Sequence, residues 1–128
     1  MNNKLIIGVV VAVLVIGFIA FAFLNQDNNA PVKEFTMQSF VEQVNGTFYP
    51  QFSIKEIRVN EGDLVRIKVT NTAGNHDFKL DEFNVYSATP LNQEMTIEFI
   101  ADKTGTFEYY CTMPGHRAMG HWGTLIVS

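Results

Sequence analysis

Two hydrophobic patterns divide the chain. Residues Leu5 to Leu24 carry no charged side chain, a run about as long as the hydrocarbon core of a bilayer requires. It is apolar on every side, so an amphipathic helix lying on a protein core does not fit it. From about Val32 onward the period changes to two. Val65, Ile67 and Val69 face away from Arg66, Lys68 and Thr70; Met95, Ile97 and Phe99 oppose Thr96 and Glu98; Ile57 and Val59 oppose Glu56 and Arg58. Turn residues punctuate these runs at Asn60-Glu61-Gly62-Asp63, Asn71-Thr72-Ala73-Gly74 and Asp102-Lys103-Thr104-Gly105. Short strands at such spacing predict an all-β protein, an antiparallel sandwich with one buried face per sheet. Only Met37 to Val44 could form a turn or two of helix. Phe107, Tyr109 and Cys111 share one face of a late strand, and Trp122 to Val127 supplies the last one.

Three segments follow: residues 1–24 as an N-terminal membrane anchor or signal peptide, 25–32 as a polar tether, and 33–128 as a single folded domain. Lys4 and the amino terminus precede the apolar run, so the positive-inside tendency puts everything after Asn25 on the extracytoplasmic side. Ala20-Phe21-Ala22 has the small-x-small form of a signal-peptidase site, yet the run continues through Phe23 and Leu24. The domain is therefore expected to be membrane-anchored or secreted, with periplasmic placement in a bacterial cell. No cysteine stands at the end of the run, which removes lipoprotein attachment.

Composition narrows the chemistry. Of nine basic and thirteen acidic side chains only Lys4 precedes the tether, leaving eight against thirteen and a net charge of −5. No basic cluster is available to neutralise phosphates, so nucleic acid is not an expected partner. The one cysteine permits no internal disulfide, and it excludes a four-cysteine iron–sulfur cluster, a two-cysteine zinc ribbon and a copper pair bridged by two thiolates.

That cysteine sits in Tyr110-Cys111-Thr112-Met113-Pro114-Gly115-His116-Arg117-Ala118-Met119-Gly120-His121, beside two of the three histidines. Soft thiolate with imidazole is the donor set that copper selects, although zinc also accepts it. The remaining histidine, His76, lies upstream in Asn75-His76-Asp77-Phe78 between two predicted strands, so folding must deliver it to the pole of the sandwich that carries the cysteine loop. Asn75 and Asp77 could hydrogen-bond to that loop or complete an Asx turn.

With these residues in view the chain resembles the cupredoxins, the type 1 blue copper proteins of azurin, rusticyanin and plastocyanin type. Cys111-Thr112-Met113-Pro114-Gly115-His116 matches the azurin-type ligand loop except at Met113, where an aromatic is usual. Gly120-His121-Trp122-Gly123 is closer to rusticyanin-type loops. The likeness extends over about residues 33–128, including Glu61-Gly62-Asp63 and Gly105-Thr106-Phe107. It implies a Greek-key β-sandwich, one copper ion cycling between Cu(II) and Cu(I), and the ligand set His76, Cys111, His116 with an axial fourth group. The register expects methionine at position 121, where this chain has His121, while Met119 stands two positions early: either His121 binds as a third imidazole, the reading that the matching Gly120 and Trp122-Gly123 favour, or the loop folds so that Met119 reaches the metal. An axial imidazole predicts a lower reduction potential and a greener or redder colour than a methionine-ligated relative, and release of His121 in mild acid. Met113, Ala118 and Met119 could collar an exposed edge of His116, and Trp122 with the phenylalanines is assigned to the core. The expected function is single-electron transfer with unidentified redox partner proteins, in a monomer and not an enzyme, with copper delivery or storage as the alternative.

Overall fold

The computed structural model describes residues 29–128. The strands are β1 (Val32–Val44), β2 (Thr47–Phe52), β3 (Glu56–Val59), β4 (Leu64–Asn71), β5 (His76–Leu80), β6 (Val85–Thr89), β7 (Glu94–Ile100), β8 (Gly105–Tyr110) and β9 (Trp122–Val127), with one short 3-10 turn at Asp81–Phe83. They form two sheets, ordered β2-β1-β4-β7 and β3-β9-β8-β5-β6. The all-β expectation holds. Among the described residues no helix is long and apolar enough to cross a membrane, and the apolar run at 5–24 lies outside them.

The period-two positions point where the alternation places them. Val65, Ile67 and Val69 of β4 and Ile97 and Phe99 of β7 are buried, facing Ile57 and Val59 of β3 and Leu125 and Val127 of β9. Each such side chain removed from water contributes about 1.5–3 kcal/mol. Near the pole that carries the cysteine loop the filling is aromatic. Phe78 stacks on Tyr109 at 5.3 Å between centroids, and Phe52 meets Tyr109 edge-on at 5.7 Å.

Two features depart from the expected plan. Met37 to Val44 is not helical: it is the second half of β1, which pairs with β2 through a two-residue turn at Asn45-Gly46 whose φ values are 50° and 82°. An Asn-Gly pair that accepts positive φ twice is the strongest short-range hairpin signal. Its strand was obscured because Ser39, a polar residue, occupies an inward position between Met37 and Val41. The sandwich is also not wholly antiparallel, since β1 runs parallel to β4 and β3 parallel to β9. After the β1–β2 hairpin the chain lays β3 in the opposite sheet before returning as β4, and this crossover reverses the sense of pairing.

Candidate metal centre

His76 is delivered by a turn that Asn71 locks. At the end of β4 the fully buried Asn71 side chain donates from Nδ2 to the carbonyls of Gly74 and Thr89, both at 2.9 Å, and accepts the Ala73 N–H at 3.1 Å. Gly74 turns the chain at φ +87°, and a β-carbon there would lie 2.9 Å from His76 Nε2, so the position takes only glycine. His76 Nε2 lies 2.6 Å from the Ala73 carbonyl oxygen. A carbonyl can only accept, so the proton is on Nε2 and the Nδ1 lone pair points inward.

Cys111 follows β8 directly, fully buried. Its N–H donates to the His121 carbonyl at 3.1 Å, closing the loop at its base; within it His121 N–H donates to His116 O at 3.0 Å and His116 N–H to Met113 O at 3.1 Å. The buried Asp77 carboxylate reaches across from β5 and accepts from the Thr112 N–H at 2.6 Å and from its hydroxyl, while Asn75 Nδ2 approaches Met113 Sδ at 3.5 Å. Both residues flanking His76 thus tie its strand to the cysteine loop. Outside, Arg117 lies 3.8 Å above the Tyr110 ring and pairs with Glu108 at 2.6 Å.

These supports bring together all four residues the sequence singled out. One donor atom each from His76, Cys111, His116 and His121 lies within 4.8 Å of the others. His76 Nδ1 is 3.2 Å from His116 Nδ1, and Cys111 Sγ is 3.6 Å from the same nitrogen. His121 is fully buried, with Phe52 at 4.1 Å and His76 at 4.6 Å between ring centroids. Its Nε2 bonds to Ser39 Oγ at 3.0 Å, whereas its Nδ1 is buried with no hydrogen-bond partner. A buried polar atom left alone is costly, and a cation among one sulfur and three nitrogens removes that cost. The donor set therefore fits copper. Met119 is 38% exposed at the outer side of the loop.

Burial sets the protonation. It pushes the Cys111 thiol up, so metal binding must displace a proton. It lowers His76, partly offset by the Ala73 carbonyl, and lowers His121 to about 3, with the neighbouring imidazoles His76 and His116 adding to the effect. Protonation of His121 in the metal-free chain is disfavoured because the charged ring would have no water around it.

An apolar cleft of about 430 Å³ opens beside His116, with Met113 and Met119 among its lining as expected, joined by Val41, Phe48 and Pro50. Ala118 is exposed but takes no part in it. Two aromatics assigned to the core are exposed: Phe48, 61% exposed, shares the face of Pro50 and Phe52 but ends in the cleft, and Trp122, 42% exposed, takes an outward position of β9. Sequence reasoning missed Ser39, Asn71 and Lys55; the last donates to the carbonyls of Gly120 at 2.7 Å and Trp122 at 3.2 Å, on either side of His121. A polar residue in an inward strand position was the available signal for Ser39, and an asparagine ending a strand before a glycine turn was the signal for Asn71.

The cupredoxin-like domain family matches residues 11–127, and the chain belongs to it, as a copper-binding domain. Nitrous-oxide reductase of Cupriavidus necator is 33% identical over 67 residues, 49% of this chain and 10% of that protein. The nitrous-oxide reductase of Ralstonia nicotianae is 30% identical over the same shares. Among solved structures, copper nitrite reductase from Nitrosomonas europaea superposes with a TM-score of 0.66 at 23% identity, over 76% of this chain and 41% of that one. The multicopper oxidase mgLAC superposes at 0.62 with 26% identity, over 76% and 39%. This chain thus spans about a tenth of the length of the reductases it matches. The expectation that it is not an enzyme does not stand, because these relatives and neighbours are enzymes.

Proposed function

We propose that His76, Cys111, His116 and His121 hold one copper ion and that the domain carries single electrons, on the extracytoplasmic side, within oxidoreductase chemistry. The observation that carries this reading is the convergence of the four donors within 4.8 Å, with His121 Nδ1 lacking any other partner. When bound, copper supplies a reversible one-electron couple at a thiolate–imidazole site. The side chains contribute rigidity. Asp77 holds Thr112 beside the cysteine, Asn71 holds the His76 turn, and the Cys111–His121 backbone bond keeps the loop shut. Donors fixed in this way rearrange little when an electron arrives, and they also exchange metal slowly. That supports a carrier over a delivery or storage protein. The half-buried His116 at the apolar cleft is the point where an electron would enter or leave a redox partner protein. The apolar run at 5–24 supports tethering to a membrane.

Absorption and spin-resonance spectra of the copper-loaded chain test the reading. We expect a thiolate-to-copper band that Cys111→Ser removes and that bleaches and returns over repeated one-electron reduction and oxidation. A spectrum indifferent to Cys111→Ser, or rapid loss of Cu(I) to a chelator, would count against it.

A further inference from the structure

We propose that Ser39 is a positioning residue that selects the ligating form of His121: the imidazole donates its Nε2 proton to Ser39 Oγ, leaving the Nδ1 lone pair aimed at the cluster. This rests on the reading of His121 as a ligand.

Ser39 occupies a place where β1 would otherwise be apolar. Inward positions along this strand run Phe35, Met37, Ser39 and Val41, and Ser39 is fully buried among them. Its Oγ lies 3.0 Å from His121 Nε2, a contact between residues 82 positions apart and the one hydrogen bond of that ring. The other tautomer would leave an N–H at Nδ1 buried without an acceptor and directed toward His76, whose own Nε2 proton is committed to Ala73. His76 and His121 are thus presented alike, each with Nε2–H engaged outward and Nδ1 turned in. The partner of His76 is a backbone carbonyl of its own turn. That of His121 comes from the opposite sheet.

The ring and the backbone that carries it are both held by neighbours. Phe52 packs against it at 4.1 Å between centroids, and the backbone around it is clamped from the Ser39 side. Gln51 Nε2 donates to Met119 O at 3.4 Å, and Lys55 Nζ to Gly120 O and Trp122 O. A partner that fixes tautomer and orientation of a metal-bound imidazole typically changes metal affinity when removed.

Nitrogen-15 NMR of the histidine-labelled full chain, metal-free and Cu(I)-loaded, tests the proposal alongside copper affinity and the Cu(II) spectrum. The wild type should show His121 protonated at Nε2 and bare at Nδ1. Ser39→Ala should produce a mixture of tautomers, weaken copper binding about 10- to 100-fold and shift the Cu(II) spectrum, with the far-ultraviolet dichroism of the fold retained; Ser39→Thr, which keeps the hydroxyl, should restore tautomer and affinity. A wild-type ring protonated at Nδ1, or a Ser39→Ala chain with unchanged tautomer and affinity, overturns the proposal. His121→Ala separates the two levels. An unaltered copper spectrum in that variant overturns His121 as a ligand, whereas an altered one beside an inert Ser39→Ala overturns the role of Ser39 alone.

Discussion

His121 stands where the resemblance expects methionine, and its surroundings suit an imidazole: a serine hydroxyl on one nitrogen, no hydrogen-bond partner on the other, an aromatic wall at Phe52. Imidazole binds more strongly than thioether and favours Cu(II), so His121→Met should raise the reduction potential and move the spectrum toward blue, as read by redox titration followed optically. No change would remove His121 from the site. Asp77 is the other residue on which much depends, because its one buried carboxylate satisfies both donors of Thr112. Asp77→Ala should cost about 1–3 kcal/mol for the donors left unpaired and weaken copper binding about 10- to 100-fold, measured by urea unfolding and competition with a copper chelator. The ligating residues were legible because the cysteine and its histidines are rare and closely spaced. Ser39 was not, since a serine in a strand carries no sign of what faces it from a loop 82 positions away.

The elements that were legible are those in which every inward position is apolar, such as Val65-x-Ile67-x-Val69. β1 was obscured because its inward face includes Ser39, which serves the site rather than the core, although the Asn45-Gly46 pair marked the hairpin. The parallel pairings β1–β4 and β3–β9 leave no trace in alternation, which reports a strand's two faces and not its neighbours. The β8–β9 pair, which carries Cys111 and His121 at adjacent ends, rests on a close approach: a β-carbon at Gly123 would lie 2.2 Å from the Tyr109 ring, itself anchored by its hydroxyl to Ile54 O at 2.6 Å. Gly123→Ala must displace a fully buried ring and should destabilise the fold by about 1–3 kcal/mol or more, lowering the urea midpoint, and it should disturb the copper spectrum because the ligand loop hangs from both strands.

At the scale of the whole molecule the sandwich is a rigid frame whose pole is filled with neutral donors. His121, with a folded value near 3, and His76, also lowered, take up protons in the unfolded chain at higher pH than in the folded one. The unfolded state therefore binds more protons between the ordinary histidine value near 6.5 and pH 3, and the stability of the metal-free chain falls as pH drops through that window. A tenfold difference in proton affinity between the folded and unfolded chain corresponds to about 1.4 kcal/mol, so the urea midpoint of the metal-free chain should decline progressively from pH 6.5 downward; a midpoint constant to pH 4 would contradict buried, neutral imidazoles. Copper should raise the midpoint by mass action, stabilising the fold by about 2.7 kcal/mol when free copper stands at a hundred times its dissociation constant.

The account depends most on the four donors gripping a single ion. A crystal of the copper-loaded chain, with diffraction recorded on either side of the copper absorption edge, tests this directly. We predict one anomalous peak in bonding contact with Cys111 Sγ and with the Nδ1 atoms of His76, His116 and His121. A peak elsewhere, or one from which the His121 ring has turned away, would contradict it.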